Sequence, residues 1–215
     1  MSKEMLDIYN EQQEHIGVAP RDEVHEKGYL HHTFHCWIIR STPEGPQLLF
    51  QKRQDTKDTF PGYFDITAAG HLTAGETIEH AAREIQEELG VNIEFSQLVS
   101  LGTVQYEGRG IANGKAFIDR ETCFVFGCQL DIPLSSYQLQ AEELAGLYET
   151  PLEQAIAMFA GEIDSIHAVG ISSVQPGTDF PHSLECHVSV QQFVPQSGDY
   201  YLHTLRGLAA LPSLR

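Results

Sequence analysis

The sequence predicts an α/β fold in which a mixed β-sheet is sandwiched between helices. Three observations carry that expectation. Runs rich in aromatic and β-branched residues lie on both sides of one helical stretch, Gly70 to Val91. A further helical pattern follows towards the end of the chain. No internal repeat or linker divides the 215 residues, a length that supports one sizeable core. The expected organisation is a single domain over 1–215, with 1–28 an N-terminal extension and 161–215 a variable C-terminal segment.

The elements follow from the residues in order. The first 27 residues are polar and poorly periodic, with Asp7–Tyr9 and Ile16–Val18 able to form a short edge hairpin. Tyr29–Arg40 is aromatic and β-branched and reads as a strand; a Pro- and Gly-containing turn returns it as Gln47–Arg53. Gln54–Gly62 is a loop, where Lys52, Arg53 and Lys57 form either a phosphate contact or an ordinary solvated cluster. Tyr63–His71 is a short strand leading into the central helix, with Thr77 as N-cap and Gly90 as its stop. Asn92–Tyr106 and Lys115–Leu130 read as long strands turning at Gly108–Gly110. After a break at Pro133–Tyr137, Glu142–Glu149 reads as a strand into a helix at Leu152–Ala160, whose start Pro151 suits. Gly161–Ser183 reads as loop, His187–Phe193 as strand and Tyr200–Ala210 as a final helix.

Composition narrows the function. The formal net charge of −17 excludes unaided binding to nucleic acid or an anionic membrane, which need positive surface. Cys36, Cys123, Cys128 and Cys186 show neither CxxC nor zinc spacing, and the first three sit in apolar runs as small buried hydrophobes. The N-terminus lacks the apolar core of a signal peptide and no run reaches membrane-spanning length, so the expected location is cytoplasmic.

The chemistry concentrates on the central helix. Glu84, Glu87 and Glu88 stand at i, i+3 and i+4, so their carboxylates share one side, while Ile78, Ala82, Ile85 and Leu89 form a separate apolar stripe. No lysine occurs between Lys57 and Lys115, and Arg83 is the helix's own cation. Crowded carboxylates repel one another unless something positive joins them, and hard oxygen ligands suit Mg²⁺ with substrate phosphates. An acidic protein acting on phosphate esters imports its positive charge as metal.

This stretch resembles the signature of the Nudix hydrolases, G-x5-E-x7-R-E-U-x-E-E-x-G-U with U aliphatic. Gly70, Glu76, Arg83-Glu84-Ile85, Glu87-Glu88, Gly90 and Val91 fit it, except that six residues instead of seven separate Glu76 from Arg83. With the helix register kept, that deficit is expected at or before Thr77, displacing Glu76 unless the Gly75 loop returns it. The resemblance implies an α/β/α sandwich and metal-dependent hydrolysis of a nucleoside diphosphate linked to another group, or of a comparable organic diphosphate. Glu84, Glu87 and Glu88 are the implied ligands of Mg²⁺ or Mn²⁺, with the Gly70 carbonyl and Glu76 in support, and Arg83 orienting a ligand carboxylate without touching substrate.

Further segments are similar to the Nudix branch that includes isopentenyl diphosphate isomerase, over roughly residues 5–160: Arg21–His25, Leu30–His35, Lys57–Gly62 and Ala69-Gly70-His71. His25, His31 and His71, with Asp119 and Glu121, look like partial counterparts of the isomerase's metal site, one spacing being short by a residue. Lone histidines are more often structural or surface groups, the reading that suits His25 and His31, while His71, abutting the metal helix, reads either way. The isomerase's catalytic Cys is replaced by Ala69, whose methyl group cannot move a proton. General-base candidates are Glu121, the pair Glu142 and Glu143, and the metal glutamates themselves. Substrate selection is expected from Gly161–Ser183 and from Tyr200-Tyr201. The expected partner is a small-molecule diphosphate, with a homodimer left open; the rival readings are the isomerase and a non-catalytic nucleotide sensor.

Overall fold

The computed structural model describes residues 4–112, 114–173 and 182–211. Strands β1 (Met5–Tyr9) and β2 (His15–Pro20) form the edge hairpin expected of this segment. The helix that follows them, α1 (Arg21–Lys27), was not expected: it buries only Val24, so it leaves no apolar period to read. Gly28 ends it at φ 67°. Next comes β3 (Leu30–Thr42), the strand on which the sheet is built, followed by β4 (Gly45–Arg53).

Two short strands, β5 (Phe64–Asp65) and β6 (Ala68–His71), replace the single one expected over Tyr63–His71. Strand β3 changes partner along its length: Thr33–Cys36 pair with β6, and Ile38–Thr42 with β4. Between them Thr67 fills the fork, its hydroxyl taking the Ile38 amide at 3.0 Å and donating to the Leu49 carbonyl.

The central helical stretch is composite. Residues Ile78–Ala82 are a 3₁₀ segment and α2 (Arg83–Leu89) continues it as α-helix. The deficit is therefore absorbed after Thr77 and not before it. Five residues at three per turn complete about the same rotation as six at 3.6 per turn, and they rise about 10 Å against about 9 Å. The apolar stripe shifts with the winding: Ala81, not Ala82, is buried with Ile85 and Leu89, because one 3₁₀ turn from Ile78 ends at residue 81.

Strands β7 (Val99–Ala112) and β8 (Lys115–Gln129) make a long antiparallel ribbon. It does not turn at Gly108–Gly110; Gly114, at φ 75°, takes the reversal. The two earlier glycines make room for rings lying on the ribbon: a Cβ would collide with the Tyr106 hydroxyl at Gly108, and would meet Phe117 Cε1 at 2.7 Å at Gly110. Strand β8 pairs with β3 in parallel, so the sheet is mixed.

Strand β9 (Leu144–Pro151) leads into α3 (Leu152–Phe159) as the proline implied. Within the stretch read as loop lies β10 (Ile166–Ser172), paired with β9 and with β11 (Ser183–Val188), whose span ends before the expected Phe193. Residues 174–181, part of the expected specificity segment, fall outside the described residues. Helix α4 (Tyr200–Ala209) closes the chain. No helix of the described residues is long and apolar enough to cross a membrane.

Period-two alternation on β3 makes the sandwich. Phe34, Cys36 and Ile38 pack with Ile85 and Leu89 of α2, while Trp37 and Ile39 pack with Leu152 and Met158 of α3 and Leu205 of α4. Helix α4, with Ile166, Ala168 and Val188 before it, is thus part of the core. Tyr200 and Tyr201, expected to select substrate, are 3% and 9% exposed and belong to that core.

Candidate active site

A cleft of about 820 Å³ opens where α1, β3, β6 and the β7–β8 ribbon converge. Alternation on β3 brings His31, Thr33 and His35 to one face, and register sets Thr33 beside His71 of β6 and Cys123 of β8. Helix α1 adds His25. The rings of His25, His31 and His71 form a near-equilateral triangle with centroids 5.1, 5.4 and 5.2 Å apart. Asp119 Oδ1 lies 3.4 Å from His25 Nε2 and 3.6 Å from His31 Nε2, and Glu121 Oε1 lies 3.8 Å from His31 Nε2.

Such a set fits a cation. His31 Nε2 and Asp119 Oδ1 are buried with no hydrogen-bond partner, a costly state for two facing polar atoms. His31 Nδ1 is engaged by the Tyr29 carbonyl at 3.0 Å, which leaves Nε2 as the free ligand atom. Burial pushes the His31 pKa down to about 4, so the ring is neutral, as a ligand must be. Mixed imidazole and carboxylate donors suit a transition ion such as Mn²⁺ or Zn²⁺ better than Mg²⁺.

The acidic helix lies on the opposite face of β6. Glu84 and Glu88 turn inward and Glu87 is exposed. Glu88 Oε2 accepts from the Ala69 amide and from Gln51 Nε2, both at 3.2 Å. Burial pushes the Glu84 carboxyl up to about 7 against the pull of Arg83, and burial with the nearby Glu84 raises Glu88 well above the usual carboxylate range. Gly70 is pressed onto Glu84, whose carboxylate a Cβ there would overlap. Closely approached oxygen donors that resist ionising without a counter-charge fit a hard divalent cation.

Arg83 ties the cluster together. It donates to Glu84 Oε1 at 2.7 Å, Glu87 Oε2 at 3.1 Å and the His71 carbonyl at 3.2 Å. Glu76 meets it with both oxygens, at 2.7 and 2.9 Å, and also accepts from the Thr73 amide at 2.8 Å. These bonds hold Glu76 down to about 2. Its place is against Arg83, reached through the 3₁₀ segment.

The family model for the NUDIX domain matches residues 29–168 of this fold. The chain is a Nudix hydrolase. An uncharacterised Nudix hydrolase of Clostridium acetobutylicum is 37% identical over 208 residues, covering 97% of this chain and 98% of its own. An isopentenyl-diphosphate Δ-isomerase of Aliivibrio fischeri is 30% identical over 146 residues, 67% of this chain and 78% of that one. A crystal structure from Deinococcus radiodurans shares the fold, with TM-score 0.55 and 21% identity over 74% of this chain and 90% of that one.

In this Nudix hydrolase the sequence-expected residues fall into two groups that meet at Gly70-His71. Glu84 and Glu88 approach Gly70 from one face, and His25, His31, Asp119 and Glu121 surround His71 on the other. Of the base candidates, Glu121 lines the cleft, whereas Glu142 and Glu143 line a smaller adjoining cavity of about 260 Å³. Arg21, Arg53 and Lys57 share that cavity, with Lys57 paired to Glu143 and Arg53 to Asp65 at 2.9 Å. Lys52, expected with them, instead sits 5.8 Å from the Phe64 ring centroid. Sequence reasoning missed Arg21, His35 and Tyr106 as cleft residues. Alternation from His31 pointed to His35, but Arg21 and Tyr106 carry no local signal, since Tyr106 reaches the site only by lying opposite Glu121 in the ribbon.

Proposed function

We propose that this enzyme hydrolyses the diphosphate linkage of a nucleoside diphosphate joined to another group, or of a comparable organic diphosphate, with a divalent ion as cofactor. The observation that carries the reading is the burial of Glu84 and Glu88 beside Gly70, where two carboxylates resist ionisation until a cation joins them. Glu84, Glu87 and Glu88 would hold Mg²⁺ or Mn²⁺ with the Gly70 carbonyl. When bound, the ion supplies charge neutralisation on phosphate oxygens and acidifies water.

The chain's own side chains do the rest. Arg83 fixes the ligand carboxylates in place. Arg21, Arg53 and Lys57 at the rim supply cations for the outer phosphate oxygens. Phe60, Tyr106 and Phe117 form apolar walls that exclude bulk water. Glu121, buried beside Asp119 and pushed up to about 8, is our choice for the group that exchanges a proton with the reacting water, because efficient proton transfer needs a pKa near the working pH. A screen of diphosphate substrates with Mg²⁺ and with Mn²⁺, scored by release of phosphate-bearing products, tests this. No hydrolysis of any diphosphate by metal-loaded protein would overturn it.

The convergence of His25, His31, His71, Asp119 and Glu121 favours a second reading, isomerisation of an allylic diphosphate. Against it, Ala69 presents a methyl group where that chemistry needs a thiol. Incubating isopentenyl diphosphate in deuterated water decides between them, since deuterated allylic product requires the isomerase.

A further inference from the structure

Helix α4 reaches the histidine side of the cleft through a buried chain of hydrogen bonds. Trp37 Nε1 donates to the Tyr200 hydroxyl at 3.1 Å, and that hydroxyl lies 2.9 Å from His35 Nδ1. Indole is a donor only, so among the described residues the proton of this buried hydroxyl has one acceptor within reach, His35 Nδ1. Were Nδ1 protonated, three donors would meet at one oxygen and the Tyr200 proton would be stranded in the core, at a cost of about 1–3 kcal/mol. The imidazole therefore accepts at Nδ1 and carries its proton at Nε2. Burial, which pushes the His35 pKa down to about 3, keeps the ring neutral.

The ring stands at the cleft wall beside a cluster with the spacing of a metal site. His35, Glu121 and Cys123 each bring a ligand atom within 4.8 Å of the others. Among the described residues the His35 ring makes no hydrogen bond besides that to Tyr200. Glu121 Oε1 faces His31, while Oε2 has only two long contacts, from Thr33 Oγ1 and Cys123 Sγ, both at 3.4 Å. With its proton at Nε2 and its Nδ1 lone pair taken by the Tyr200 hydroxyl, the imidazole has no free lone pair for a metal. Register also places His35 directly beside Ala69 of β6.

We propose that Tyr200 and Trp37 lock His35 as its Nε2–H tautomer, so that His35 cannot join Glu121 and Cys123 on a metal and, as a positioning residue, leaves Glu121 to the reacting water. This rests on reading Glu121 as part of the reacting site. The tautomer itself does not depend on that reading, and the experiment separates the two.

Long-range ¹⁵N–¹H correlation on labelled protein should show His35 protonated at Nε2 alone. A ring protonated at Nδ1, or a mixture, overturns the proposal whatever the enzyme hydrolyses. Co²⁺ titration of the wild-type protein should give no thiolate-to-cobalt absorption band; a band lost in Cys123→Ser would mean that the trio does bind metal, and would equally overturn it. In Tyr200→Phe the single-tautomer pattern should become mixed, and persistence of the pure Nε2–H form would remove Tyr200 from the device. With a hydrolysed diphosphate in hand, His35→Gln, which keeps an N–H near the Nε2 position, should retain kcat within about threefold. His35→Ala should lose about tenfold or more in kcat with little change in KM, the scale of lost support for a reacting group. Equal losses in both variants would assign His35 a merely structural role.

Discussion

Glu88 combines deep burial with the metal-binding role proposed for it, and that conflict sets its expected mutational behaviour. Glu88→Gln keeps the shape and the bonds with Ala69 and Gln51, so the fold should survive. A neutral amide is a poor ligand for a hard cation, however, and turnover should fall about a thousandfold, or roughly 4 kcal/mol of transition-state stabilisation. Steady-state kinetics with a matched thermal melt would test this, and near-wild-type turnover removes the acidic helix from the mechanism. The same conflict predicts a pH effect in metal-free protein. Glu84 has a folded pKa of about 7 against an ordinary 4.5. Its contribution is fully present below about pH 4.5, where both states are protonated, and is lost as pH rises through 7. Glu88 and Glu121 shift in the same direction. Desolvation shifts His31, His32, His35 and His71 downward, and they oppose these carboxylates below about pH 6.5, so the window lies above it. Metal-free protein should therefore melt lower at about pH 8.5 than at about pH 7, and Mg²⁺ should narrow the gap by restoring the pH 8.5 value. A gap that Mg²⁺ leaves untouched would separate these carboxylates from cation binding. Gly70→Ala should be costly for a different reason: its methyl group would collide with a Glu84 carboxylate already pinned by Arg83. A loss of tenfold or more in kcat, with the fold kept, is the expected result.

At the scale of elements, the shortened spacing before Arg83 is the instructive case. The residue types and order were legible, but the winding was not. Nothing in Ile78-Glu79-His80-Ala81-Ala82 distinguishes three residues per turn from 3.6, and the choice is set by the ends, where Thr73 and Arg83 both hold Glu76. Glu76→Gln leaves an amide oxygen to accept from Arg83, so activity should fall by less than about tenfold, or ~1.4 kcal/mol, and by far less than in Glu88→Gln. Parallel kinetics across a Mg²⁺ titration check this; equal losses would place Glu76 among the metal ligands. Other elements show the same division. β3 and α3 were legible because their periodicity or proline start is local. β10 was not, because its Ile-His-Ala-Val-Gly-Ile-Ser run becomes a strand by lying between β9 and β11. The histidine cluster could be suspected from likeness to the isomerase branch, yet its convergence depends on α1, a helix with no sequence period to announce it.

For the whole molecule, the sandwich depends on its last helix. Tyr200, Tyr201, Leu205 and Leu208 are 3, 9, 0 and 1% exposed. At about 1.5–3 kcal/mol for each large apolar side chain, their joint removal approaches the entire stability of an ordinary domain. A chain ending at Ser197 should show no cooperative thermal transition by circular dichroism, and a melt near that of the full-length protein would contradict the packing described here. The bond between Tyr200 and His35 adds a consequence for dynamics. An amide in α4 exchanges with solvent only when the helix opens, and opening the helix breaks the Tyr200–His35 bond at the cleft wall. Any ligand that binds better with that wall intact must therefore slow exchange in α4, by the same free energy with which the closed helix strengthens binding. Deuterium uptake in the C-terminal helix would thus report on occupancy of a cleft that the helix itself does not enter.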